Sequence, residues 1–436
     1  WSGMIATPNQ QFGALVKSTD GGASWEKLAV PFADTLEVPV FVHFFSSNTG
    51  VVMTSVYPIA PDFGQIDAVD SPLQIYHTED GGDSWTNVSP ALMEDESRWF
   101  YTPSVDDIVQ GDTIWYGTRH GRILRSVNQG KDWEIIDTGL GRDHNVNSIS
   151  FLDAQRGFAT LGVPQYIYSY PTIGLKTTDG GTTWEPANIP ERVETLHHIP
   201  GTEGIIGLGN WVGNFGYFLS VDGGENWERI HSSTQIYTMD FSREGAVFAG
   251  GIAYQGGIHK YAGPSVDEIS FEPTDPPSFI ELGVGVLGAR TENFSISDIQ
   301  LLDTNTIWAS TRIMGIPAPD AVALALKSND GGESWEVFEV EEFPGRFLWD
   351  IHAFDENRVI ATTQNFGPIA NRGIIMTEDG GETWTEVVND PAGGRWIHFF
   401  NDQEGIFWDR NFVWRSEDGG YTWEILPEAD RPQFQP

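Results

Sequence analysis

One twelve-residue phrase, KSTDGGASWEKL at 17–28, constrains this chain more than any other feature, because it returns seven more times. The later copies are HTEDGGDSW ending at Trp85, RSVNQGKDW at Trp133, KTTDGGTTW at Trp184, LSVDGGENW at Trp227, KSNDGGESW at Trp335, MTEDGGETW at Trp384 and RSEDGGYTW at Trp423. A phrase that recurs along a whole chain marks one supersecondary unit that cannot bury its apolar face alone, so the fold is an array of such units. Each copy reads as a strand, a tight turn and a second strand. Gly21 and Gly22 supply the positive φ angles of the turn, and Asp20 folds its carboxylate onto nearby amides. Eight of the 17 tryptophans occupy the indole slot, which makes that slot structural. Each burial contributes a few kcal/mol, at about 25 cal/mol per Å².

The phrase resembles the Asp-box, or BNR repeat, with its pattern of Ser/Thr, any, Asp, any, Gly, any, Ser/Thr, Trp. Ser18, Asp20, Gly22, Ser24 and Trp25 match it residue by residue, as do Thr377, Asp379, Gly381, Thr383 and Trp384. The same slots hold Asp80 and Trp85, Asp179 and Trp184, Asp222 and Trp227, Asp330 and Trp335, and Asp418 and Trp423. The third copy departs, with Asn128 for the aspartate and Asp132 in the hydroxyl slot, and the fifth has Asn226 there. The resemblance implies a β-propeller with these turns on the outer hairpins of its blades, away from any functional site.

Between the copies lies a second phrase, an apolar strand, a short polar turn and another apolar strand. Examples are FVHFFSSNTGVVM from Phe41, SISFLDAQRGFATLG from Ser148 and DIHAFDENRVIATT from Asp350. Together the two phrases make a four-stranded unit, as a propeller blade requires. The units fall at about 1–31, 38–89, 105–137, 146–187, 193–231, 236–272, 294–339, 346–388 and 395–427. The first lacks an innermost strand, since Trp1 aligns with Trp115 and Trp308 in the second strand of their units; the sixth keeps only Ser270 and Phe271 of its turn phrase. The expectation is an all-β chain, a single propeller of antiparallel blades over 1–427 with a tail or linker at 428–436. Eight or nine blades fit, and the repeat count favours nine.

Composition narrows the class. A net charge of −38 is too acidic for a general binder of nucleic acid or anionic lipid. With no cysteine there are no disulfides, thiolate metal sites or cysteine nucleophiles, which fits a secreted, periplasmic or cell-surface bacterial protein. No run of about eighteen apolar residues exists to span a membrane. HExxH, EF-hand, phosphate-loop and GxSxG motifs are all missing, so no cofactor or metal is expected, with Ca²⁺ on loop carboxylates and carbonyls left open.

Loop lengths locate the variable surface. With strands A to D running inner to outer, the A–B and C–D turns share one face, and both are short. The elaboration is on the other: B–C loops Tyr57–Pro72, Gly162–Thr172, Ile313–Ala321 and Gln364–Arg372, and D–A loops Ser89–Pro103 and Pro273–Phe294. A ligand is expected there. Of 18 arginines, Arg98, Arg346 and Arg395 precede an aromatic just before an innermost strand, and Arg119, Arg312 and Arg410 end B strands. Gathered at the channel mouth, these guanidiniums would fork onto a carboxylate or phosphate while Trp99, Trp349 and Trp396 stack on its carrier. The plainer alternative pairs each arginine with one of the 62 acidic residues. Asp298 and Asp350 occupy matching positions on neighbouring innermost strands, with Asp107 roughly equivalent. They are the weak catalytic candidates, since glycoside hydrolysis needs two carboxylates about 5–9.5 Å apart.

Among families with this turn, the sialidase Arg-Ile-Pro segment is absent, and so is the cysteine-rich module of sortilin-type receptors, whose repeats are otherwise similar. Xyloglucanase-like hydrolases use two propellers and a longer chain. The unit SISFLDAQRGFATLG followed by GLKTTDGGTTWEPA at 174–187 is similar to photosystem II assembly-factor-like repeats. That resemblance implies a non-catalytic binding or assembly scaffold for a protein or glycan. A glycoside hydrolase and a subunit of a surface layer or filament, self-assembling or fused to a sorting module, stand as alternatives.

Overall fold

The computed structural model describes residues 2–4, 15–19, 26–32, 37–56, 72–96, 108–141, 143–163, 172–190, 193–199, 202–209, 216–231, 235–241, 247–252, 258–262, 270–274, 294–313, 323–332, 334–340, 343, 345–364, 373–389, 396–408 and 413–426. It is a β-propeller. The innermost strands of units 2 to 9 are Glu37–Phe44, Ile108–Gln110, Asn145–Phe151, Val193–His198, Gln235–Phe241, Phe294–Leu301, Phe347–Ala353 and Trp396–Phe399. Each opens a four-stranded antiparallel meander, and the innermost strands of units 3 and 4, 4 and 5, 6 and 7, 7 and 8, and 8 and 9 touch, which sets them around the hub. Eight blades are therefore complete, where the repeat count favoured nine. Among the described residues the first unit has three strands, Ser2–Met4, Leu15–Lys17 and Glu26–Lys27. Units 6 and 7 join through one extra pairing, Ile252 with Ser295.

The turn phrase is a polar knot. In the second copy Thr78 Oγ1 donates to Asp80 Oδ1 at 2.8 Å and accepts the Gly82 N–H at 2.9 Å. Asp80 in turn accepts the Ser84 N–H at 2.9 Å and the Ser84 hydroxyl at 2.5 Å. The departures in the third copy compensate each other. Asn128 cannot accept on both atoms, so its Nδ2 donates to Asp132 Oδ2 at 2.8 Å, reversing the usual bond. The indole closes the knot, as when Trp384 Nε1 donates to the Gly381 carbonyl at 3.1 Å.

Each knot is fastened outward as well. The first glycine N–H donates to the A–B turn of its own blade, Gly81 to Asn48 at 2.8 Å and Gly380 to Asn357 at 3.0 Å, so both turns share one face. Against the preceding blade, Trp115 Nε1 reaches the Gly180 carbonyl at 2.9 Å. Gly181, at φ +83°, has no room for a side chain: a Cβ there would sit 2.6 Å from the same indole nitrogen. The apolar core accordingly lies between blades, for example Trp308, Ala325, Leu348, Ile351, Ile375 and Trp384 across units 7 and 8.

Innermost strands carry the feature that shapes the hub. In units 2, 4, 5, 6, 7 and 8 they shift register against the second strand near their middle, at Pro39/Phe41, Val146/Ser148, Val193/Thr195, Ile236/Thr238, Ile296/Asp298 and Leu348/Ile351. A bulge at the same place in six blades re-aims the residues beside it.

Candidate functional site

The bulges explain why Asp298 and Asp350 meet. An innermost strand has no partner on its hub side, and its amides there need acceptors. The residue after the bulge supplies one to the next blade. Ser148 Oγ takes the Leu196 N–H at 3.2 Å, Asp298 Oδ2 takes that of Ile351 at 3.3 Å, and Asp350 Oδ2 takes that of Ile397 at 2.9 Å. Carbonyls are served the same way, Glu194 by Thr160 Oγ1 at 2.6 Å and Trp349 by Ser310 Oγ at 3.5 Å. Gln300 spans both, accepting the Ala353 N–H at 2.6 Å and donating to its carbonyl at 3.3 Å.

Asp350 therefore sits partly buried in a seam and hydrogen-bonded to Asp298, and desolvation followed by that neighbouring carboxylate pushes its pKa up to about 8. Glu194, the bulge residue of unit 5, is pushed up to about 7 by burial alone. The sequence placed the two aspartates on adjacent innermost strands, and they are there. They are in hydrogen-bonding contact, however, which leaves no room for a glycosidic bond between groups that would need about 5 Å or more of separation. Their oxygens are occupied by backbone N–H groups.

Tryptophans flank this seam. Trp349 is the residue before Asp350, with its ring 6.1 Å from that of Phe347. Trp396 precedes Ile397 and is 40% exposed, stacked on its cross-strand partner Trp408 at 6.2 Å. Trp396, backed by Trp408, is thus an open aromatic platform on the innermost strand of unit 9, while Trp349 on that of unit 8 is partly buried.

Arg346 and Arg119, the two candidate arginines whose side chains are described, both lie near acidic groups. Arg346 is 2% exposed, its Nη2 lies 2.6 Å from Glu386 Oε1, and its guanidinium lies 5.0 Å from the Phe343 ring. That closed pair corrects the expectation of an arginine open to a ligand; with far more acids than bases in the chain, a guanidinium meets a carboxylate first. Arg119 is half-buried, its pKa lowered by burial against the opposing pull of Asp95. Its neighbour His120, held at φ +67°, places Nε2 3.0 Å from Asp95. Glu96, fully buried, binds Arg122 through Nε at 2.9 Å and through Nη2, and accepts from Thr118 at 2.8 Å. The connection leaving unit 2 is thus bolted onto the B–C turn of unit 3. Arg98, Trp99, Arg395 and Arg410 lie outside the described residues, as do Asp107, Asp20, Trp25 and the Arg312 side chain. Among the described residues no group of three or more His, Asp or Glu side chains is arranged to hold a metal ion.

Sequence reading passed over three histidines. His43, His352 and His398 hold equivalent positions, each meeting the ring two residues on, Phe45, Phe354 or Phe400, edge-on at 4.6–5.1 Å. Burial, then the charge of His398, pulls the His352 pKa down to about 4, so this ring packs as a neutral aromatic against Phe399. The shared phrase V/I-H-x-F was the available signal.

No protein-family model matches the chain. Over 302 residues it is 24% identical to the photosystem II assembly lipoprotein Ycf48 of Synechococcus sp. (strain CC9902), covering 66% of this chain and 77% of that protein. Over 334 residues it is 26% identical to the chloroplastic photosystem II stability/assembly factor HCF136 of Arabidopsis thaliana, covering 70% and 73%. The chain is similar to the photosystem II assembly factors. A 137-residue stretch is 28% identical to xyloglucanase Xgh74A of Acetivibrio thermocellus but spans only 16% of that enzyme. Among solved structures, YCF48 bound to D1 peptide aligns over 95% of this chain and 97% of its own at 15% identity, with a TM-score of 0.39.

Proposed function

We propose that this protein is a non-catalytic assembly or binding factor of a bacterial envelope or exterior, holding a segment of a client protein at the hub end of its loop-bearing face. The observation that carries the reading is the exposed indole of Trp396, backed by its cross-strand partner Trp408. The hairpin turns opposite are tied up in their own bonds and ion pairs. An exposed aromatic at the start of an innermost strand suits the apolar side chains of an extended polypeptide, and such anchors dominate binding energy where they occur. Support also comes from the relatives, both named for photosystem II assembly. Arg98, Arg395 and Arg410 would add forks toward client carboxylates around the platform.

A peptide array from envelope proteins, run beside a glycan array with the wild type and Trp396→Ala, tests this. Peptide capture weakened about tenfold or more, with melting unchanged, is the expected result. Capture of glycans alone transfers the platform to sugar stacking, and peptide binding indifferent to Trp396 removes the proposed site. Discrete self-association in place of either would favour a surface-layer role.

A further inference from the structure

We infer that the hub seam joining units 7, 8 and 9 is a proton-held clasp, in which the Asp298 and Asp350 carboxyls converge on one backbone N–H and stay together while one of them carries a proton. Asp298 Oδ2 lies 3.3 Å and Asp350 Oδ1 3.1 Å from the Ile351 nitrogen, and two carboxyls brought this close disfavour each other's negative charge. The other Asp350 oxygen holds Ile397 at 2.9 Å, so one carboxyl links unit 8 both to itself and to unit 9.

Among the described residues, three elements face Asp350. Unit 7 presents Asp298, the second strand of unit 8 presents Thr362, whose hydroxyl takes the Asp350 N–H at 3.1 Å, and unit 9 presents Ile397. His352 and His398 lie two and one residues further along the same strands from Asp350 and Ile397, the former neutral through burial. The Arg312 side chain is outside the described residues.

A titrating group is not needed for the bond itself. Ser148 makes the equivalent link between units 4 and 5 with a hydroxyl. What the carboxyl pair adds is dependence on pH. Burial and Asp298 raise the Asp350 pKa from 3.8 to about 8, so the folded protein keeps a proton that the unfolded chain gives up above about pH 4. The contribution of the clasp is complete below that point and falls as pH climbs through about 8. Trp349 and Trp396 adjoin the two clasped positions, so the same proton steadies the aromatic platform. The clasp stands whether or not that platform binds a client.

The test uses the full chain, with infrared detection of protonated carboxyl and thermal melts across about pH 5 to 9, for wild type, Asp350→Asn and Asp298→Asn. The amide at 350 keeps a donor toward Asp298 and an acceptor for one N–H without a charge. The wild type should show a protonated carboxyl at neutral pH that Asp350→Asn lacks. Its melting temperature should fall relative to that variant by about 3 °C or more from pH 5 to pH 9. Parallel melting curves for wild type and variant, or no protonated carboxyl at pH 7, would overturn the clasp. Should Asp350→Asn fail to fold, Asp298→Asn carries the same comparison, since its amide also removes the second charge.

Discussion

Aspartates at the turns and at the hub of this propeller behave in opposite ways. Asp80 lies at the solvent edge and receives the Ser84 hydroxyl, the Ser84 N–H and the Thr78 hydroxyl, which pull its pKa down to about 2. Asp179 and Asp379 are lowered in the same way, first by the hydroxyls of Thr183 and Thr383. Asp350 accepts N–H groups too, yet burial and a second carboxyl outweigh them. Donors without desolvation make an anchor, and desolvation beside a like charge makes a titrating joint. The turn-bearing face is therefore built to be fixed, whereas the hub end of the other face retains the exposed indole of Trp396 and groups that change charge near neutrality.

Tryptophan offers the hardest test of this contrast. Trp384 is 3% exposed in a turn and belongs to the core shared by units 7 and 8, while Trp396 on the platform is 40% exposed. Trp384→Ala should cost about 3–5 kcal/mol and Trp396→Ala less than about 1, read from urea unfolding. Equal costs would erase the distinction between scaffold and platform.

Next in size is the Arg346–Glu386 pair. Arg346→Ala strands a carboxylate that is only partly open to water, and a loss of about 2–3 kcal/mol in chemical denaturation is expected. A loss below about 0.5 kcal/mol would return Arg346 to the pool of groups available to a ligand.

The pH response sharpens the comparison without mutating either face. Turn carboxylates with depressed pKa values contribute stability that is present above about pH 4 and lost as pH falls through about 2. The hub carboxyl, with its raised value, contributes stability that is present below about pH 4 and lost as pH rises through about 8. Asp80→Asn should flatten the acid limb of a stability profile and leave the alkaline limb alone. Change on both limbs would mean that the turns and the hub are not separable.

How far the sequence carries is itself divided along the same line. Blade boundaries were legible, because a turn that needs Gly81, Gly82, Asp80 and Trp85 in fixed order writes itself into the chain; unit 5 runs from Val193 to His231, as the repeat indicated. The three-stranded first unit was legible for the same reason. Bonds between blades were not. Ser148, Asp298 and Asp350 do one job with different side chains, and whether such a residue meets the next blade depends on a bulge that leaves no motif. Arginine roles were equally hidden, since Arg346 before Phe347 reads the same whether it faces a ligand or Glu386.

The smallest effect concerns the ties that run from blade to blade across the turn face. Arg156 forks onto Glu203 at 2.6 and 2.8 Å and also holds Asp153 at 2.7 Å, all three side chains being well exposed. Its geometry is the best a surface pair can have, yet water screens it and two long side chains must be ordered to make it. Glu203→Gln keeps the shape and removes the charge, and a loss of about 0.5 kcal/mol that shrinks further in high salt is expected in urea unfolding. A loss above about 2 kcal/mol, insensitive to salt, would show that the turn face draws its rigidity from ion pairs; a small one leaves it with the buried indoles and the hydroxyl-carboxylate knots.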